Sequence, residues 1–210
     1  MQWPFSFVIF VELLSHSMTF SQCVDGINNV ILIEDIGGDD STIKFHEVQM
    51  LSYSLKKTPR CTGGSPLVKF PGYLKAHKGK VEISRAIKTE QGRLIAQLTL
   101  KQDSFLLGEI CNRGRSVKYV SADTCSFDFC DAIGEQHCNL FRKPGIITLD
   151  DLSDALKKFL PLPTAPTKLV NGQWKVSVRL TQNGRVLGEF QVGRRGQWIN
   201  VEASTYRDEL

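Results

Sequence analysis

Residues 173–192 read QWKVSVRLTQNGRVLGEFQV. The first half alternates without a break, with Trp174, Val176, Val178 and Leu180 on one side and Lys175, Ser177, Arg179 and Thr181 on the other. Successive side chains leave a strand on opposite faces, so this period of two marks a strand with one face in a core and one in water. Asn183-Gly184 follows, a pair that accepts the positive φ angles of a two-residue hairpin turn. RVLGEFQV then resumes the alternation and places Val186, Phe190 and Val192 on one side. The stretch predicts an antiparallel hairpin.

The same pattern recurs outward from it. RLIAQLTLKQ (93–102) puts Leu94, Ala96, Leu98 and Leu100 opposite Gln97, Thr99 and Lys101, and VEISRAIK (81–88) gathers Val81, Ile83 and Ile87. VILIE (30–34), HEVQMLSYSLK (46–56) and GQWINVEAS (196–204) read as further strands. One segment differs. In ITLDDLSDALKKFLPLPTAP (147–166), Leu149, Leu152, Ala155, Leu156 and Phe159 recur at helical spacing, with Thr148 placed to cap and Asp150 and Asp151 in the first turn. Leu160-Pro161-Leu162-Pro163 stops any helix there. One short helix or an irregular lid is expected among the strands. The fold class predicted is all-β: a disulfide-stapled two-sheet sandwich or barrel.

A chain of 210 residues with 41% hydrophobic and 23% charged residues is long enough for one domain with a substantial core. Its formal charge of +4 is dispersed in short groups such as KAHKGK (75–80) and GRRG (193–196), which argues against a nucleic-acid partner. Attraction to acidic lipid headgroups stays open. At the start, the apolar run from Phe5 to Leu14 is too short to span a bilayer and is followed by Ser15, Ser17, Thr19 and Ser21. Residues 1–21 therefore read as a signal peptide, residues 22–206 as the domain. The terminal Arg207-Asp208-Glu209-Leu210 resembles a retrieval signal of the endoplasmic reticulum, and no N-x-[ST] acceptor occurs. The secretory pathway is expected, the reticulum lumen ahead of secretion or lysosomal delivery.

Six cysteines, Cys23, Cys61, Cys111, Cys125, Cys130 and Cys138, in such a chain predict three disulfides, in any of 15 pairings. No paired C-x₂₋₄-C units or grouped histidines suggest a metal, and no C-x-x-C suggests redox chemistry. G-x-S-x-G and H-E-x-x-H are absent, and GEICNRGRS (108–116) lacks the strand-to-helix phosphate pattern. Neither an enzyme nor a cofactor is expected. A non-catalytic function needs a surface or a cavity. Two sheets that do not close tightly leave an apolar interior for a lipid chain, lined by the inward sets: Leu94, Ala96, Leu98 and Leu100, with Trp174, Val176, Val178, Leu180 and Phe190. The alternative is a secreted or lumenal β-sandwich that binds protein and has no such cavity.

LGEICNRGRSVKYVSADTCSFDFCDAI (107–133), followed by Cys138, resembles the ganglioside G(M2) activator branch of the ML lipid-recognition superfamily. GQWKVSVRLTQNGRVLGEFQVG (172–193) is similar to that branch's final hairpin. The resemblance spans roughly residues 94–204. It implies a β-cup with an apolar cavity for lipid acyl chains, in a protein that extracts a glycolipid at a membrane surface and presents it to a soluble glycosidase. It also implies the pairs Cys111–Cys125, Cys130–Cys138 and Cys23–Cys61, with Phe127 and Phe129 on one strand face at the cup's mouth. The chain departs from that branch in having four residues between Cys125 and Cys130 and in carrying Glu189 where a cysteine is common.

Overall fold

The computed structural model describes residues 22–88, 90, 92–152, 159–162 and 170–204. The expected signal segment, the terminal tetrapeptide, and Ala155 and Leu156 of the expected helix lie outside those residues. In chain order the strands are β1 (Val30–Asp35), β2 (Ile43–Ser54), β3 (Cys61–Thr62), β4 (Ser65–Phe70), β5 (Gly72–Ile83), β6 (Ile95–Gln102), β7 (Glu109–Asn112) and β8 (Arg115–Ser116). Helix α1 (Ala122–Cys125), β9 (Ser126–Asp128), α2 (Phe129–Ile133) and α3 (Glu135–Phe141) follow. The chain continues with β10 (Gly145–Thr148), a 3₁₀ turn at Leu149–Asp151, β11 (Leu160–Leu162), β12 (Gly172–Gln182), β13 (Arg185–Val192) and β14 (Ile199–Ala203).

The strands hydrogen-bond along one curled path, β10-β5-β2-β1-β13-β12-β14-β4-β3, with β6 added to the other side of β12. The predicted hairpin is the middle of that path. β12 pairs with β6 from Trp174↔Gln102 to Thr181↔Ile95, and with β13 from Val176↔Val192 to Gln182↔Arg185. The β12–β13 register shifts between Leu180 and Thr181, so Leu187 is the extra residue of a bulge. A bulge reverses which side chains face inward. Leu187 is accordingly buried, while Val186, expected inside with Phe190, is 44% exposed.

A second irregularity re-phases β2. The register with β5 shifts between His46 and Gln49, where Glu47 has φ +51. After it, Val48 and Met50 share the inner face with Ile33 and Ile31, their neighbours across β1. The bulge needs a glycine opposite. Gly79 has φ +104, and a Cβ there would meet Glu47 O at 2.5 Å and Val48 Cα at 2.6 Å. The strand expected over 81–88 is the end of β5, which stops at Ile83; Ile87 lies beyond it but is still buried in the core.

The helical expectation over 148–159 gives way within the described residues to β10 and one 3₁₀ turn, and the Thr148 side chain makes no cap bond. Leu160–Leu162 continues as edge strand β11 along β5, Leu160 opposite Leu74. Pro161 fits there because an edge strand leaves every other N–H outside the ladder. Three short helices between Ala122 and Phe141 were not predicted. Asp128 starts α2, its carboxylate accepting from Cys130 N (2.9 Å) and Asp131 N (3.4 Å), so Phe129 opens a helix instead of sharing a strand face with Phe127.

Three disulfides staple the sheet: Cys23–Cys61 ties the N-terminal turn to β3, Cys111–Cys125 joins β7 to α1, and Cys130–Cys138 joins α2 to α3. These are the pairs that the resemblance implies. Bonds of this kind persist in oxidising compartments, so the domain belongs to a secretory or extracellular environment. The one parallel pairing on the path, β14 with β4, is braced by an ion pair between the opposed Glu202 and buried Lys69.

Candidate functional site

The inner face of the curled sheet carries three buried clusters. One gathers Ile43, Ile83, Leu94, Ala96, Val178, Leu180 and Leu187 towards the Asn183-Gly184 turn. A second holds Trp174, Ile110 and the Cys111–Cys125 disulfide at the other end of β12, and a third joins Ile31, Val68 and Ile199. Leu98, Ile33 and Val201 each pack against two of the three, so the apolar interior is continuous.

Between the clusters runs a belt that the chain covers less well. Ala76, Met50, Ile33, Phe190, Val192, Val176, Leu98 and Leu100 are only half-buried. They sit on six strands that are consecutive neighbours, β5, β2, β1, β13, β12 and β6. The ladder register aligns them: Ala76 faces Met50, Val176 faces both Val192 and Leu100, and Val178 faces both Phe190 and Leu98. Directly opposed residues of an antiparallel pair share a face, so this is one surface. Along β12 itself, Leu180, Val178 and Trp174 are buried while Val176 is not. The coverage is lost in the middle of the strand.

The structure divides the predicted lining residues accordingly. Leu94, Ala96, Trp174, Val178 and Leu180 are buried, whereas Leu98, Leu100, Val176 and Phe190 belong to the half-buried belt. Phe127, opposite Ala96 on β9, and Phe129 pack against the first cluster, where Phe129 meets Phe141 edge-on with ring centres 5.4 Å apart. Ile33, Met50 and Ala76 escaped the prediction as lining residues, while Val192 was read on one side of its strand with Phe190. The strands of Ile33 and Met50 were legible, but the bulge at Glu47 hid which face of β2 turns inward, and the part of β5 that holds Ala76 lies before the strand expected over 81–88.

A separate small cleft opens beside α2 and α3. It holds about 180 Å³ and is floored by Ile87, Leu94 and Phe141 beside the Cys130–Cys138 disulfide. Its rim carries Asp131 and two ion pairs: Arg142 Nη2 lies 2.6 Å from Glu135 Oε1, and Arg93 Nε 3.8 Å from Asp128 Oδ2. Gln182 Nε2 donates to Lys88 O (2.8 Å) and Gly92 O (2.7 Å), closing the back. This volume is below the ~300–1,000 Å³ of sites that enclose drug-sized ligands.

Among the described residues, no group of three or more His, Cys, Asp or Glu side chains could hold a metal ion, and all six cysteines are paired. Tyr53 is, among the described residues, the one group with a marked shift. Its hydroxyl donates to Asp25 Oδ1 at 2.7 Å, and burial, then the Asp25 hydrogen bond and charge, push its phenol well above the usual range. No helix among the described residues is long and apolar enough to cross a membrane. No protein-family model and no curated protein matches this chain.

Proposed function

We propose that the protein is a non-enzymatic lipid carrier whose curled sheet takes the acyl chains of a lipid or glycolipid against the belt of Ile33, Met50, Leu98, Leu100, Val176 and Phe190. The observation that carries this reading is the belt itself: apolar, in register across six adjacent strands, and half-covered between buried ends. Apolar surface left facing a concavity is worth about 25 cal/mol per Å² when another apolar group covers it, and an acyl chain supplies such cover without polar partners. The three disulfide pairs support the same reading, since the resemblance to ganglioside-activator-like proteins of the ML superfamily implies them. On this reading the protein serves a membrane or a glycosidase, and Arg207–Leu210 returns it to the endoplasmic reticulum.

Native mass spectrometry of the purified protein, with lipid extraction, tests it. One lipid per chain, regained after delipidation, is the expected result. A delipidated chain that takes up no fluorescent lipid while holding a stable protein partner would replace the carrier with a protein-binding sandwich.

A further inference from the structure

Helices α2 and α3 have little of their own to hold them. At five and seven residues they fall well short of the ~12–15 at which an isolated helix is even marginal in water, so packing must supply their stability. Yet α2 has no buried residue, and the one buried residue of α3 is Cys138. Phe129 and Phe141 rest half-buried on the cluster that contains Ile87 and Leu94. The polar bonds of Arg142 stay local, from Nη1 to Asn139 Oδ1 at 2.6 Å and from Nη2 to Glu135 Oε1 at 2.6 Å. The Cys130–Cys138 bond is therefore the principal clamp on this pair of helices.

The three disulfides differ in access and in what depends on them. Cys111 and Cys125 are fully buried beside Trp174, beyond the reach of a thiol while the sheet is folded. Cys23 and Cys61 are half-exposed, but the turn they tie is held by other bonds as well. Asn29 Nδ2 donates to Ser52 O at 3.1 Å, and the Tyr53 hydroxyl donates to Asp25 Oδ1 at 2.7 Å. Cys130 and Cys138 line the cleft that opens beside α2 and α3, with Cys130 the more exposed of the two. Exchange requires that an attacking thiolate reach a sulfur, and accessible disulfides are the labile ones. Only at Cys130–Cys138 does that access coincide with elements that depend on the bond.

We propose that Cys130–Cys138 is a thiol-exchange site at which a dithiol unclamps α2 and α3 and uncovers Ile87, Leu94 and Phe127. One thiolate of the dithiol attacks Cys130 Sγ, the Cys130–Cys138 bond breaks, and Cys138 leaves as a thiolate that takes a proton. The second thiolate attacks the mixed disulfide, and Cys130 leaves and is protonated in the same way. The dithiol departs as its own disulfide, two electrons and two protons having passed to the protein. The exchange needs no lipid on the belt. Graded dithiothreitol added to the folded full chain, followed by alkylation, peptide mapping and hydrogen exchange, tests it. Cys130 and Cys138 are alkylated at a concentration that leaves Cys111–Cys125 intact. Amides of residues 129–141 then exchange at least about tenfold faster, while those of β6 and β12 keep their protection. Cys130→Ser/Cys138→Ser shows the faster exchange without reductant, and Cys23→Ser/Cys61→Ser shows it only when reductant is added. Release of Cys111–Cys125 at the same concentration, resistance of Cys130–Cys138 until the sheet unfolds, or its reduction with exchange over 129–141 unchanged would each overturn the assignment. These three outcomes are read on the wild type and do not depend on a serine variant folding.

Discussion

Tyr53 shows how a single buried hydroxyl makes the fold sensitive to pH. Burial of the phenol, and then its hydrogen bond to Asp25 and that carboxylate's charge, hold it protonated in the folded chain above the ordinary value of about 10. Between that value and the raised folded one, the native chain keeps a proton that the unfolded chain has released. Stability from this group is therefore fully present below pH 10 and falls above it, by up to ~1.4 kcal/mol per pH unit. Tyr53→Phe removes this component, and urea titrations at pH 9 to 11 are expected to show a flatter alkaline limb than the wild type. A steeper limb in the variant would refute the linkage. Gly79 is a residue of a different kind, required by its conformation: a Cβ there runs into the backbone of Glu47 and Val48 at a positive φ. Gly79→Ala is expected to destabilise by about 1–3 kcal/mol, read as a lower denaturant midpoint at constant m-value, because the obstruction is backbone that cannot rotate away.

At the scale of elements, what the sequence disclosed was set by the length of each periodic run. β6 and β12 alternate over eight residues or more, and their inward sets, Ala96 to Leu100 and Trp174 to Leu180, were read correctly as sharing a face. The reading failed where one residue shifts the phase. Val186 turned outward because the bulge at Leu187 reversed the alternation, and Met50 of β2 was missed because Glu47 does the same. Ile33 of β1 stands in the unbroken apolar run at the head of VILIE, which offers no alternation to read. Helices α1 to α3, of four, five and seven residues, are too short to show a 3.6-residue period, and only the Asp128 cap marks their presence. The β14–β4 pairing joins residues far apart in the chain, which no local pattern reports. The disulfides act at this same scale. Cys130–Cys138 closes a separation of 8 residues and Cys23–Cys61 one of 38. If loop entropy dominates, replacing the first pair by serine costs roughly 2.5 kcal/mol and the second roughly 4 kcal/mol. Equal losses on denaturant unfolding would assign the difference to native contacts around α2 and α3.

For the molecule as a whole, the question is whether the belt is surface awaiting a ligand or a core filled by its own chain. The two cases answer oppositely to added volume. Enlarging a residue in a filled core forces neighbours off their rotamers and costs about 1–3 kcal/mol. Enlarging one that faces unfilled space costs little, because the added atoms cover apolar surface already exposed to water. Val176 is the position to probe, since it lies in register with Leu100 and Val192 and is half-buried between the buried Trp174 and Val178. Val176→Phe is expected to leave the thermal midpoint of the delipidated protein unchanged or raised, and to abolish uptake of fluorescent lipid. Leu180→Ala, in the buried cluster two turns of the pleat away, is expected to cost about 2–5 kcal/mol while the belt keeps its shape. Lipid added in hundredfold excess over its dissociation constant then stabilises the wild type and Leu180→Ala by about 2.7 kcal/mol each, and does nothing for Val176→Phe. A Val176→Phe chain that is destabilised like a core variant and still takes up lipid would move the binding surface off this belt altogether.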